Sequence, residues 1–319
     1  MNPRITILDD YQSVALEIAD WTPLSPRFDL DVLTEHVADE DALVERLKNS
    51  EIVVAMRERT AFPAAVLDRL PNLKLLITTG PFNPSIDLQA ALANGVTVCG
   101  TRYPGNAMVE QTIGMMIALT RNFAAEDRNV RDGGWQTTIG PGLQGHRLGL
   151  IGVGRFGGRV ARIAQALEME VVGWSPHLTQ ERADEYGVRA VSKEELFSTS
   201  DIVSVHMVLS DSTLGLIGED DFRAMKSTAY FINTSRGPIV DEEALISIMA
   251  DRTIAGVGLD VYDIEPLPVD HPFRRMPNSL VLPHIGYVTR DAYEVFYADA
   301  VEDILAFYDR APLRIVGER

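Results

Sequence analysis

Cysteine is nearly missing from this chain of 319 residues, and its scarcity already excludes some chemistry. The single Cys99 permits no intrachain disulfide and no cysteine-based zinc site. It lies in Val96-Thr97-Val98-Cys99 and reads as a buried, inert thiol, which fits a reducing cytoplasm. Positive charge is also short. Lys and Arg number 29 against 46 Asp and Glu, a net charge of -17. With no basic surplus to neutralise phosphates, the balance argues against a nucleic-acid or anionic-membrane partner. Long apolar runs are missing too. None approaches the length of a membrane span, and Met1-Asn2-Pro3-Arg4 leads into a short strand, not a signal sequence. No His-x-x-x-His pair or carboxylate cluster suggests a metal. There is no repeat of fixed short period and no low-complexity segment. The length suggests about two domains.

What is present is organised around Leu148-Gly149-Leu150-Ile151-Gly152-Val153-Gly154-Arg155-Phe156-Gly157. A buried strand runs into Gly-x-Gly-x-x-Gly, and Gly158 to Leu167 reads as a helix with Val160, Ile163, Ala164 and Leu167 on one face. Gly152 permits the tight turn, Gly154 lets a pyrophosphate approach the backbone, and Gly157 lets the helix pack close. The helix then aims its first N–H groups at the phosphates. A lone glycine triplet is weak evidence. The strand before it and the helix after it favour a dinucleotide site.

The first hundred residues alternate candidate strands (5–8, 30–33, 52–56, 73–77, 96–99) with candidate helices (14–18, 42–47, 64–70, 88–94). Such alternation predicts a parallel sheet with helices on its faces, and such sheets gather ligands at the carboxyl ends of their strands. Two of those ends carry polar loops, Arg57-Glu58-Arg59-Thr60 and Thr78-Thr79-Gly80-Pro81-Phe82-Asn83. A substrate role and a plain solvated loop or turn are both open there.

Residues 106–122 read as one long helix, and 123–145 as an arm with helical content only at its start. The arm reads either as packing on a partner subunit or as a surface loop. A second α/β unit follows, with strands at 148–151, 170–174, 202–205, 229–233, 254–261 and 280–282. Ser192-Lys193-Glu194-Glu195 has capping-box spacing, and a last helix spans about 289–308.

Arg236, Glu265 and His284 each follow a strand of this second unit, as the glycine turn does. Parallel strands would place all four on one sheet edge. Hydride transfer to a carbonyl needs a proton donor for the developing alkoxide, and a histidine titrates near neutral pH. Glu265 can hold the ring and favour its imidazolium form. Arg236 can grip a carboxylate through two parallel hydrogen bonds. Singly, each has a plain alternative. Arg236 could pair with Asp241, Glu265 could be a solvated acid, and His284 a turn residue after Pro283. His206 could line the cofactor cleft or cap its strand. His271, before Pro272, reads as structural, and His36, His146 and His177 have no acidic partner at a telling spacing.

Together, Gly152-Val-Gly-Arg-Phe-Gly157, Asn233-Thr-Ser-Arg-Gly237, Asp260-Val-Tyr-Asp-Ile-Glu265-Pro and Leu282-Pro-His284-Ile-Gly286 resemble the D-isomer-specific 2-hydroxyacid dehydrogenase family. The resemblance runs over essentially the whole chain. It implies two Rossmann-like or flavodoxin-like domains with parallel sheets, the cofactor domain (102–287) inserted into a substrate domain (1–101 and 288–319). It implies NAD or NADP as cofactor, a small 2-oxo or 2-hydroxy acid as substrate, and a cleft that closes around it. Arg236, Glu265 and His284 match the family's catalytic positions. Cofactor contacts are implied for Gly152, Gly154, Arg155, Phe156, Gly157, Ser175, Thr112, His206, Thr213, Thr234, Asp260 and Gly286. Substrate contacts are implied around Arg57, Thr79 and Gly80. A homodimer held through the long helix and the arm is implied as well.

Two departures stand out. Val171-Val172-Gly173-Trp174-Ser175-Pro176 offers Ser175 where the family often has an Asp for the ribose 2′-hydroxyl, which relaxes cofactor choice or tilts it toward NADPH. The loop Gly80-Pro81-Phe82-Asn83-Pro84 is proline-rich where many relatives carry small or basic residues. The rival readings are a phosphoglycerate-dehydrogenase-like activity, with Arg57 or Arg59 on the phosphate, and a cofactor-sensing regulator or co-repressor. Formate oxidation is disfavoured, because the family's formate enzymes carry glutamine where Glu265 stands.

Overall fold

The computed structural model describes residues 2–317. Residues 1, 318 and 319, at the ends of the expected substrate domain, lie outside the described residues. The chain divides into two compact units, Met1–Gly105 with Thr289–Arg319, and Asn106–Val288. The second is inserted between two stretches of the first.

In the first unit β1 (Arg4–Ile7), β2 (Asp29–Val32), β3 (Ser50–Ala55), β4 (Leu75–Thr78) and β5 (Thr97–Gly100) form one sheet, ordered β2-β1-β3-β4-β5. All its pairings are parallel. The central strands read as continuous apolar runs because helices cover both faces; all four residues of β4 are buried. The apolar core runs from Leu8 through Leu43, Val53 and Phe62 to Val98. Helix starts are set by short polar side chains. Asp87 accepts from the backbone N–H groups of Gln89 and Ala90, and Thr289 from that of Ala292. The long helix Arg290–Tyr308 buries Tyr293, Phe296, Tyr297, Ala300 and Ile304. Its buried Asp299 takes a fork of hydrogen bonds from Arg102. Cys99 is fully buried, and burial pushes its thiol up to about 12, so it is inert at neutral pH.

The second unit holds β6 (Arg147–Ile151), β7 (Glu170–Trp174), β8 (Arg189–Ala190), β9 (Ile202–Val205), β10 (Tyr230–Asn233), β11 (Gly256–Leu259) and β12 (Ser279–Val281). The order is β12-β11-β10-β9-β6-β7-β8, again with every pairing parallel. Side chains alternate between two apolar clusters. Leu148 and Leu150 enter one, Ile151 the other. The chain crosses the sheet at β6, where the order reverses between β7 and β9, the position at which such sheets bind ligands.

The expected helix over 106–122 is Ala107–Thr120, and the arm begins, as its sequence reads, with a helix at Phe123–Arg131; Asn122, with a left-handed φ of 53°, separates the two. The remainder of the arm has no helix or strand, and Trp135 and Ile139 are exposed. β8 carries no sequence signal, since two residues are too few for a pattern. Ser192 caps its helix as its spacing predicts, accepting from the Glu195 N–H.

Candidate active site

The glycine turn joins β6 to the helix Gly157–Ala166. Gly152 has φ 98°, and a Cβ there would lie 2.5 Å from the His206 carbonyl oxygen. A Cβ on Gly157 would lie 2.1 Å from the Gly152 carbonyl oxygen. Gly154 is the exception, because a Cβ there would meet nothing within 4 Å. Two glycines are thus demanded by the protein itself, while the third leaves open space beside a helix N-terminus. That is the arrangement a pyrophosphate needs, and the residues fit a dinucleotide. Arg155 is exposed, with its guanidinium 5.4 Å from the Phe156 ring centre. The Gly152 N–H donates to the Trp174 carbonyl, which places the end of β7, and Ser175 after it, beside the turn.

At the same edge, β10 ends in Asn233. Its amide donates to the Arg236 carbonyl and accepts from the Ser235 N–H, which folds the loop back on itself. Arg236 is half-buried, and its Nη1 donates to the Ser235 carbonyl. A Cβ on Gly237 would lie 2.1 Å from the Tyr262 carbonyl carbon, so the loops after β10 and β11 pack backbone to backbone. The Tyr262 N–H donates to one Glu265 oxygen at 3.0 Å. The other lies 2.6 Å from His284 Nδ1. The Tyr262 hydroxyl donates to the carbonyls of Leu259 and Leu282, tying the ends of β11 and β12.

His284 has a left-handed φ of 54°, a conformation costing roughly 1–3 kcal/mol that persists only where its surroundings enforce it. Asp260 does so. Its carboxylate accepts from the Ile285 N–H at 2.9 Å and the Gly286 N–H at 2.8 Å. Burial pushes this carboxyl above its ordinary value, against the pull of those two N–H groups and of His284.

Of the other expected cofactor residues, Thr112 and Thr234 share a 2.8 Å hydroxyl contact, both buried. Thr213 braces its own loop, donating to the Val208 carbonyl and accepting from the Ser210 N–H. His206 pairs through Nε2 with Ser204 Oγ at 3.0 Å, and its Nδ1 is buried without a partner. Burial holds this ring down at about 4, so it is neutral at pH 7, with one ring nitrogen an N–H donor and the other an acceptor.

In the first unit, the carboxyl edge is polar as well. Arg57 has φ 52°, and its N–H donates to Thr79 Oγ1. Its guanidinium lies 2.1 Å from where a Gly80 Cβ would stand, but that flexible end can move aside, so it is the φ of 90° that calls for glycine there. Arg59 donates to the Asp9 carbonyl at 2.6 Å and lies over the Tyr11 ring. His36, which has no acidic partner at a telling spacing in the sequence, pairs in the fold with Asp9 at 3.0 Å. The partner comes from the end of another strand, 27 residues away, and linear spacing cannot show it. Asn83, the Tyr262 hydroxyl and the Asp9 hub escape sequence reasoning for the same reason. His271 pairs with Glu242 and caps Phe273, a structural use as expected.

A cavity of about 450 Å³ lies at the opposite, amino-terminal edge of the second sheet, between Pro141 and Gly142 of the arm and Ile202 and Tyr230. It holds none of the expected site residues. Among the described residues no acid, histidine or cysteine cluster could hold a metal, and no helix is long and apolar enough to cross a membrane.

Residues 113–286 match the model of the D-isomer specific 2-hydroxyacid dehydrogenase NAD binding domain. A D-3-phosphoglycerate dehydrogenase of Archaeoglobus fulgidus is 33% identical over 89% of this chain, which spans only 54% of that protein's length. A glyoxylate reductase of Thermofilum pendens is 32% identical, with 95% of this chain and 88% of that one covered. The crystal structure of a phosphoglycerate oxidoreductase from Vibrio cholerae superposes with a TM-score of 0.90 at 34% identity, covering 97% of this chain and all of that one.

Proposed function

The chain belongs to the D-isomer specific 2-hydroxyacid dehydrogenase family, and from that premise we propose how its residues divide the work. The enzyme is an NAD(P)-dependent oxidoreductase that interconverts a 2-oxo acid and a D-2-hydroxy acid. The observation that carries the residue assignment is the 2.6 Å Glu265–His284 pair on the sheet edge that also holds the glycine turn.

We assign 102–287 to the cofactor and 1–101 with 288–319 to the substrate. The bound nicotinamide supplies hydride in reduction and takes it in oxidation. His284 gives a proton to the carbonyl oxygen as it becomes an alkoxide, and recovers it in the reverse direction. Glu265 fixes the ring by holding Nδ1, which leaves Nε2 to face the substrate. Arg236 grips the substrate carboxylate, and its planar fork suits two parallel bonds. Arg57, Thr79 and Gly80 contribute from the first unit.

Glycines 152, 154 and 157 with Arg155 and Phe156 take the pyrophosphate side of the cofactor. Thr112, His206, Thr213, Thr234, Asp260 and Gly286 shape its bed. Ser175 at the ribose cannot repel a 2′-phosphate as an aspartate would, so NADPH is accepted alongside NADH or ahead of it. The exposed Trp135 and Ile139 of the arm support a homodimer, and the lone buried thiol supports a cytoplasmic setting.

The relatives named for phosphoglycerate favour a second reading, in which Arg57 or Arg59 takes a phosphate. One steady-state screen tests both: glyoxylate, pyruvate, hydroxypyruvate, 3-phosphohydroxypyruvate and bulkier 2-oxo acids, each with NADH and NADPH. Reduction of at least one 2-oxo acid is expected. Cofactor binding without turnover of any would point to a regulator instead.

A further inference from the structure

We propose that Phe82 is the specificity-determining residue of this enzyme and selects 2-oxo acids with an apolar side chain. The inference rests on the oxidoreductase reading above. Phe82 stands at the carboxyl end of β4, in a loop fixed on both sides. On one side the Gly80 N–H donates to Thr101 Oγ1 at 2.7 Å, and the Thr101 N–H returns to the Gly80 carbonyl. On the other Asn83, 1% exposed, donates to the Arg57 carbonyl and to Thr78 Oγ1, and accepts from the Ser85 N–H. Pro81 and Pro84 fix two more φ angles. Between these anchors Phe82 is 56% exposed.

A single exposed phenylalanine needs no explanation. One held out from a doubly anchored, proline-flanked loop, at the strand end where parallel sheets gather ligands, is a preformed apolar surface. Little ordering entropy remains to be lost when a ligand covers it. The neighbouring arginines are meanwhile engaged inside the unit. Arg57 lies 3.4 Å from Glu58, and Arg59 is bonded to the Asp9 carbonyl and to Tyr293. A phosphate placed against Phe82 would lose water and receive no donor from that ring, whereas an alkyl or aryl group would gain burial. The loop thus favours a substrate whose only anionic group is its carboxylate.

The test compares wild type, Phe82→Ala and Phe82→Arg on 4-methyl-2-oxopentanoate, phenylpyruvate, glyoxylate and 3-phosphohydroxypyruvate. Thermal unfolding checks that each variant is folded, which the exposure of Phe82 leads us to expect. In wild type, kcat/KM for the two apolar substrates should exceed that for glyoxylate by about tenfold or more, the scale of apolar pocket discrimination. Phe82→Ala should collapse that ratio mainly through KM, and Phe82→Arg should move preference toward 3-phosphohydroxypyruvate. A wild type that prefers the phosphorylated acid or glyoxylate overturns the inference. So does a ratio that survives Phe82→Ala, or a loss equal on every substrate. Turnover of no 2-oxo acid at all, in protein that binds cofactor, overturns the oxidoreductase reading and this inference together.

Discussion

Glu265–His284 and Asp9–His36 are the same chemical couple in two settings. The first has side chains 32% and 23% exposed, with one carboxylate oxygen on the ring and the other on a single backbone N–H. In the second the carboxylate is 2% exposed and divided between His36 and Thr60, while the Asp9 carbonyl takes Arg59. One pair spends its carboxylate on orienting a ring that still meets solvent. The other spends it on fastening the loops after three strands. A carboxylate–imidazole distance therefore does not identify a proton-transfer device. What the remaining atoms of the pair are committed to does.

The largest test of that contrast is His284→Ala. The proposed general acid–base role predicts a kcat loss of about 10²- to 10⁴-fold with the fold and cofactor binding retained. Near-wild-type turnover would remove the role. Glu265→Gln comes next. It keeps a hydrogen-bonding group but loses the charge-assisted bond, a difference of about 1–1.5 kcal/mol or roughly tenfold in kcat. An effect confined to KM would mean that Glu265 does not act through the ring. Arg236→Lys keeps the charge without the planar fork, so kcat/KM should fall about tenfold or more, while the cofactor's dissociation constant measured by fluorescence stays put. Smallest in turnover is His36→Ala. It strands part of a buried carboxylate and should cost about 1–3 kcal/mol in urea unfolding, with kcat changed far less than in His284→Ala. Equal losses of turnover at the two histidines, in folded protein, would break the contrast.

Much of this was legible in the sequence, and the reason is periodicity. Runs such as Ile52–Met56 and Leu148–Ile151, with glycine, proline or a capping residue at their ends, determine strands and helix starts locally. Arg236, Glu265 and His284 stand out because each directly follows such a run. Failures have a common cause in distance along the chain. Nothing near His36 announces Asp9, and nothing near Asp260 announces that its carboxylate holds the backbone 25 residues later.

The insertion of one unit into the other has a consequence for synthesis. Asn106–Val288 is a continuous stretch, so it can fold as soon as it leaves the ribosome. The five-stranded sheet cannot finish at the same time. It waits for the helix Arg290–Tyr308, whose aromatic residues and Asp299 complete its core. At ordinary translation speeds the intervening stretch takes roughly 10–40 s to make. Through that interval the first hundred residues must keep an uncovered apolar surface from associating with anything else, and the chain's overall negative charge, by mutual repulsion, protects it.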